Sequence, residues 1–160
     1  MASEPLQRAL VLALETGQRQ GDLLALPWSA YDGQWIRLRQ AKTGRRVNIP
    51  VTRRLRAVLD NTKRTATVIL TNKRGMAWSP DAFRVAWGEA CRKAKITGLH
   101  FHDLRGTAVT RLAEAECSNA EICSITGHAM KDVGAILDKY LARTDKIALA
   151  AIAKLERGSK

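Results

Sequence analysis

The sequence predicts an α+β fold, mainly helical, with one small antiparallel β-hairpin. Apolar residues recur at helical spacing through most of the 160 residues, punctuated by Gly and Pro, and that periodicity argues for amphipathic helices. Two alternating runs, WIRLR and RVNIP, flank Lys42-Thr43-Gly44 and read as paired strands with Lys42 near the tip. No Gly/Ser/Pro-rich stretch divides the chain, so its 46% hydrophobic content serves one core.

Each element follows in order. Ser3 caps a helix whose stripe is Leu6, Leu10, Ala13 and Leu14, and Gly17 stops it, which leaves Arg19 at the mouth of the next helix. Asp22 to Leu26 forms that short helix, ended by Pro27 and covered by Trp28. After the hairpin, Thr52 to Lys63 suits a helix, Thr67 to Thr71 a short strand, and Asn72 to Ser79 a loop. Ser79 caps a helix running toward Lys95. Beyond His102 the pattern is helical throughout: one helix to about Glu116, one from Ser118 to Thr126 closed by Gly127, one containing Tyr140, and a tail helix over 145–157.

Composition excludes several classes. No apolar run reaches membrane-span length, and MASEPLQRALVLALETG lacks the basic start of a signal peptide, so a soluble, cytoplasmic protein is expected. Cys91, Cys117 and Cys123 are odd in number and lack metal-type spacing, which favours reduced, buried thiols over disulfides. The formal net charge is +12, and the segment from Arg37 to Arg74 holds twelve basic residues against Asp60 alone, so it carries +11 of that total. Such concentration is the footprint of phosphate-backbone binding, with Arg37, Arg39, Arg45, Arg46, Lys73 and Arg74 as the candidate contacts. With 5% aromatic residues, stacking platforms for single strands are scarce, and duplex DNA is the expected partner.

The stretch LHFHDLRGTAVTRL places His102 and Arg105 at i and i+3, side by side on a helix whose other face, Leu104, Ala108, Val109 and Leu112, packs inward. A residue that exchanges protons near neutral pH then stands beside a rigid fork of donors suited to an anion. His100, two residues before His102, suggests a His-x-His metal pair, but no acids or cysteines complete a site and no metal is expected. Tyr140 taken alone reads as a packing residue.

Taken together, TGQRQGDLLALPW, KTGRR, HDLRGT and TGH followed by Tyr140 resemble, in this order, the catalytic domain of tyrosine recombinases, the phage-integrase family. The resemblance spans nearly the whole chain. It implies that Arg19, Lys42, His102, Arg105, His128 and Tyr140 are catalytic, with Asp22 supporting them. Gly106 stands where many members carry a second histidine, and the interval from His128 to Tyr140 is longer than in many. The implied chemistry is strand cleavage and rejoining through a 3′-phosphotyrosyl intermediate, without a metal or other cofactor. Arginines clamp the nonbridging oxygens, Tyr140 attacks, and Lys42 protonates the leaving 5′ oxygen.

Two other readings share part of this pattern: a type IB topoisomerase-like nicking-closing enzyme, and a DNA-binding module without chemistry. The resemblance further implies a bacterial or phage origin, action on nucleoid DNA, and a fragment comprising residues 1–160 that lacks an upstream core-binding domain. A tetramer on DNA is expected of the full-length protein, and a monomer or weak oligomer of the isolated domain. The tail over 145–157 carries Ile147, Ala151 and Leu155 on one face, for docking on its own body or on a neighbouring protomer.

Overall fold

The computed structural model describes residues 3–140 and 145–158; within these, side chains are described except at 139, 140, 145–147 and 158. The order of elements is α1 (Glu4–Thr16), α2 (Gln20–Leu24), a 3-10 turn (Trp28–Ala30), β1 (Trp35–Arg39), β2 (Arg46–Pro50), α3 (Arg53–Asp60), α4 (Pro80–Lys93), α5 (Asp103–Glu114), α6 (Asn119–Thr126), α7 (Met130–Tyr140) and α8 (Asp145–Gly158). The fold is mainly helical with one antiparallel two-stranded sheet, as the sequence predicts. None of the described helices is long and apolar enough to cross a membrane.

Two apolar clusters organise the chain. The larger one gathers Leu6, Leu12, Leu23, Ile36, Ile49, Leu55, Ile69 and Phe83 with their neighbours, so α1, α2, the hairpin, α3 and α4 share a core. Trp78, Phe83, Phe101 and Trp87 close one side through edge-to-face contacts at 5.6, 4.8 and 4.9 Å between centroids. The smaller cluster, Val109, Ile122 and Val133, binds α5, α6 and α7 together. Because Leu104 belongs to the first cluster and Val109 to the second, α5 is the beam between them. His102 and Arg105 sit at its opening turn.

In the hairpin, Ile36 pairs with Ile49 and Leu38 with Val47. Ile36, Val47 and Ile49 are buried while Trp35, Arg37, Arg39, Arg46 and Asn48 face outward, as period-two alternation requires. The turn at 41–43 carries Lys42 exposed near its tip.

Three expectations need correction. Residues 67–71 do not form a strand: they make only isolated bridges, Val68 with Pro27 and Thr71 with Ala77. The segment is tied instead by the Trp28 amide to the Thr67 carbonyl (2.9 Å) and by the Ile69 amide to the Leu26 carbonyl (2.9 Å), so its inward residues read like a strand without a ladder beside them. The second helix runs Gln20–Leu24 rather than from Asp22 to Leu26, because Arg19 occupies its N-cap. Ser3 holds the N-cap position of α1 without a side-chain capping bond, whereas Ser118 forms a full capping box with Glu121.

Candidate active site

The site is assembled where three chain reversals meet: the end of α1, the hairpin turn, and the end of α6. Gly17 and Gly127 terminate α1 and α6 in left-handed conformations (φ 63° and 70°), which only glycine adopts without cost. Both also allow close approach. A Cβ on Gly17 would lie 2.9 Å from the Thr126 methyl, and one on Gly127 would overlap the Gln40 amide.

Arg105 is the centre of this junction. It is 4% exposed, and its Nη1 donates to the carbonyls of Gly17 and Thr126, the latter at 2.8 Å. Its Nη2 is buried without a partner among the described residues. Burial and the positive charge of Arg19 push its pKa down to about 10, with Asp22 acting in the opposite direction, so it is still a cation at neutral pH. A buried guanidinium held by neutral carbonyls, with one fork end lacking a partner among the described residues, is a desolvated charge of the kind an anion would stabilise.

His102, Asp103, Arg105, Gly106, His128, Ala135 and Ile136 line a cavity of about 260 Å³ around this end of α5. His102 occupies the N-cap position of α5 and is exposed, while Asp103 accepts a hydrogen bond from the His100 amide (2.7 Å) at the same helix start. His128 is half-buried behind them. Its Nδ1 lies 2.8 Å from Thr126 Oγ1, whose single proton goes to the Ile122 carbonyl (2.7 Å). The hydroxyl therefore accepts from Nδ1–H, and neutral His128 keeps its lone pair on Nε2. Burial, then the charges of Arg105 and Arg19, push the His128 pKa down to about 4. In the absence of an anion it is neutral at pH 7.

Arg19 reaches the junction from the N-cap of α2, donating Nη1 to Gln40 Oε1 at 3.1 Å. Asp22 is buried, and its Oδ1 accepts the Ala41 amide at 2.8 Å, one residue before Lys42. It thus holds the turn rather than facing the cavity. Lys42 itself is exposed and outside the cavity wall. Tyr140 is the last residue of α7, and its side chain lies outside the described residues.

The basic segment divides. Arg45 donates to the Gly127 carbonyl (3.3 Å) and lines, with Arg46 and His128, a second depression beside the first. Arg39 donates to the Gly44 carbonyl (3.0 Å), so it stiffens the turn while keeping its charge outward. Arg37 is paired with Asp32 and lies over the Trp35 ring at 5.9 Å. Lys73 and Arg74 line a separate cleft with Trp78, Glu89 and Lys93, so they do not join the His102–Arg105 cavity. Sequence reasoning missed Gln18, Gln40 and Thr126. Gln40 was detectable in principle, since Ile36, Leu38 and Gln40 share one strand parity and put an amide where an apolar residue is expected.

The chain matches the family model described as the phage integrase family over residues 2–146. It is 36% identical over 122 residues to the shufflon-specific DNA recombinase of Escherichia coli, a match covering 73% of this chain and 30% of that protein. Among solved structures, a lambda integrase(75–356) dimer bound to a COC′ core site aligns with a TM-score of 0.74 and 24% identity, over 88% of this chain and 54% of that one. A lambda integrase tetramer bound to a Holliday junction aligns with a TM-score of 0.65 and 28% identity, over 78% of this chain and 41% of that one. The matched region thus corresponds to about a third of the shufflon recombinase and about half of the lambda chains.

Proposed function

The chain belongs to the phage integrase family, and from that premise we propose that it is the catalytic part of a site-specific DNA recombinase working through a 3′-phosphotyrosyl intermediate. The observation that carries the reading is buried Arg105, fixed by two carbonyls, its Nη2 without a partner among the described residues and beside a cavity shared with His102 and His128. A phosphodiester under attack gathers negative charge on its nonbridging oxygens, and donors fixed in advance stabilise that state without reorganising.

In this mechanism Arg105 and Arg19 clamp the scissile phosphate. The Tyr140 hydroxyl attacks phosphorus, the Oη–P bond forms and the P–O5′ bond breaks. His102 takes the phenolic proton, and Lys42 delivers a proton to the leaving 5′ oxygen from the exposed turn. His128 gains a proton as the anion enters, because a phosphate offsets the positive field that keeps it neutral, and Nε2–H then donates to an oxygen. One phosphoester replaces another, so a different 5′-hydroxyl reverses the step without an outside energy source.

The named activity of the shufflon relative and the DNA in the lambda integrase complexes support duplex DNA as substrate and a multimer on DNA as the working state. In this reading residues 1–160 supply the catalytic domain, an upstream core-binding domain supplies further contacts to the DNA, and the isolated chain is a monomer or weak oligomer. Arg37, Arg39, Arg45, Arg46, Lys73 and Arg74 supply phosphate contacts, and Lys73 and Arg74 do so away from the catalytic cavity.

The test is covalent capture on a nicked duplex whose short 5′-hydroxyl fragment diffuses away after attack. Wild type forms a protein–DNA adduct on a denaturing gel, and Tyr140→Phe forms none while binding DNA as before. An adduct mapping to Tyr31 or Ser124, or cleavage abolished by EDTA, refutes the mechanism. Binding without any adduct, with the upstream domain supplied, leaves only a DNA-binding module.

A further inference from the structure

We propose that Gln40 is a positioning residue that locks the Lys42 turn to the two arginines, an inference that rests on the recombinase reading for its consequence but not for its geometry. Gln40 is fully buried. Its Nε2 donates to Gln18 Oε1 (2.7 Å) and to the Thr126 carbonyl (2.9 Å). Its Oε1 accepts from Arg19 Nη1 (3.1 Å) and Thr43 Oγ1 (2.8 Å). All four hydrogen-bonding positions of the amide are filled.

The amide has one possible orientation. Arg19 can only donate, so the atom facing it is the oxygen. On the other side the Thr126 carbonyl can only accept. Gln18 is committed as well, because its Nε2 donates to the carbonyls of Thr16 and Ile125, both at 2.9 Å, which leaves its oxygen toward Gln40. Four neighbours thus fix a single rotamer and a single flip state.

That rotamer connects the parts on which catalysis depends. The Thr126 carbonyl that holds Gln40 also holds Arg105 Nη1 (2.8 Å), so the two arginines are registered to each other through one carbonyl and one amide. The Thr43 hydroxyl, beside Lys42, rests on the same amide oxygen that receives Arg19. The Gln40 backbone closes the turn too: its carbonyl accepts the Gly44 amide and its amide donates to Arg45, both at 2.8 Å. Gln40 touches no reacting atom in this scheme. It sets where the general acid stands relative to the phosphate clamp, and a misplacement of about 1 Å at such a site can cost roughly 10²-fold in rate.

The experiment uses Gln40→Leu, which removes all four bonds at similar size, and Thr43→Val, which at an exposed position removes the turn-side bond to Gln40 together with the longer one that Thr43 Oγ1 accepts from the Arg45 amide (3.4 Å), and keeps the fold if Gln40→Leu does not. Adduct formation is measured on two nicked duplexes, one with the ordinary bridging 5′ oxygen and one with a bridging 5′ sulfur that departs without a proton. Gln40→Leu is expected to slow the oxygen substrate about 10²-fold and the sulfur substrate about tenfold, because sulfur bypasses Lys42 but not the arginines. Thr43→Val is expected to slow the oxygen substrate about tenfold and leave the sulfur substrate unchanged. Equal losses on both substrates in both variants overturn the proposal, since a merely structural defect does not distinguish leaving groups. Hydrogen exchange at the Gly44 amide gives a readout without DNA: about tenfold faster in each folded variant is expected, and unchanged exchange overturns the proposal. If wild type forms no adduct on either duplex with the upstream domain supplied, the recombinase reading fails by itself, and the exchange rates still decide whether Gln40 holds the turn.

Discussion

Gly127→Ala isolates the physical cost of building this junction. Gly127 is at φ 70°, where an L-residue costs about 1 kcal/mol or slightly more. The added methyl meets the Gln40 side chain, with Cδ at 2.7 Å and Oε1 at 2.8 Å from the new Cβ and Nε2 closer still, so the amide must leave its four partners. Losing the equivalent of two of those buried bonds adds about 2 kcal/mol, for a total near 3 kcal/mol. Gly33→Ala is the control, because Gly33 also has positive φ (91°) but none of the described residues beyond its chain neighbours lies within 4 Å of its new Cβ, and it should cost about 1 kcal/mol. Denaturant unfolding of both variants measures the difference. For a domain of this size, 3 kcal/mol corresponds to a fall of roughly 6–12 °C in Tm. Adding Gln40→Ala should recover part of the Gly127→Ala loss by vacating the space, a coupling read from the double-mutant cycle. Equal destabilisation by Gly127→Ala and Gly33→Ala would refute the account, since backbone conformation alone would then explain both.

Other expectations follow from the same geometry. The His128 pKa lies at about 4 when folded, against about 6.5 unfolded, so the unfolded chain takes up the proton first. Its contribution to stability is therefore complete above pH 6.5 and lost as pH falls toward 4, and His128→Gln should flatten that limb of a stability-versus-pH curve; an unchanged limb excludes His128 as its source. Tyr31 donates its hydroxyl to Asp60 (2.8 Å), and its pKa is raised to about 12, chiefly by burial and then by that bond. Tyr31→Phe should cost about 1 kcal/mol of stability yet retain the covalent adduct, and loss of the adduct would point to a role beyond packing. DNA affinity should fall with salt at a logarithmic slope of about −0.9 per phosphate neutralised by the 37–74 segment, and a flat titration would remove that segment from the interface.

The sequence by itself determined the helices, the hairpin and the grouping of basic charge, because these rest on local quantities. Leu6, Leu10 and Ala13 at helical spacing, Gly17 as a stop, and Ile36 alternating with Arg37 require no distant partner to be read. The expected strand over 67–71 failed for the complementary reason: Ile69 and Leu70 are buried, but a strand exists only where another chain segment offers a ladder, and Leu26 and Trp28 offer single bonds. The motifs around Arg19, His102, Arg105 and His128 were visible as residue types, and the structure gathers them around one junction. What only tertiary structure decided is how the junction is held. Arg105 is fixed by carbonyls 88 and 21 residues away, and Gln40 by groups 22 and 86 residues away. Hydrogen bonds that span such separations leave no periodicity in the chain, so a buried amide and an unsatisfied guanidinium become recognisable only once folding has removed water from both.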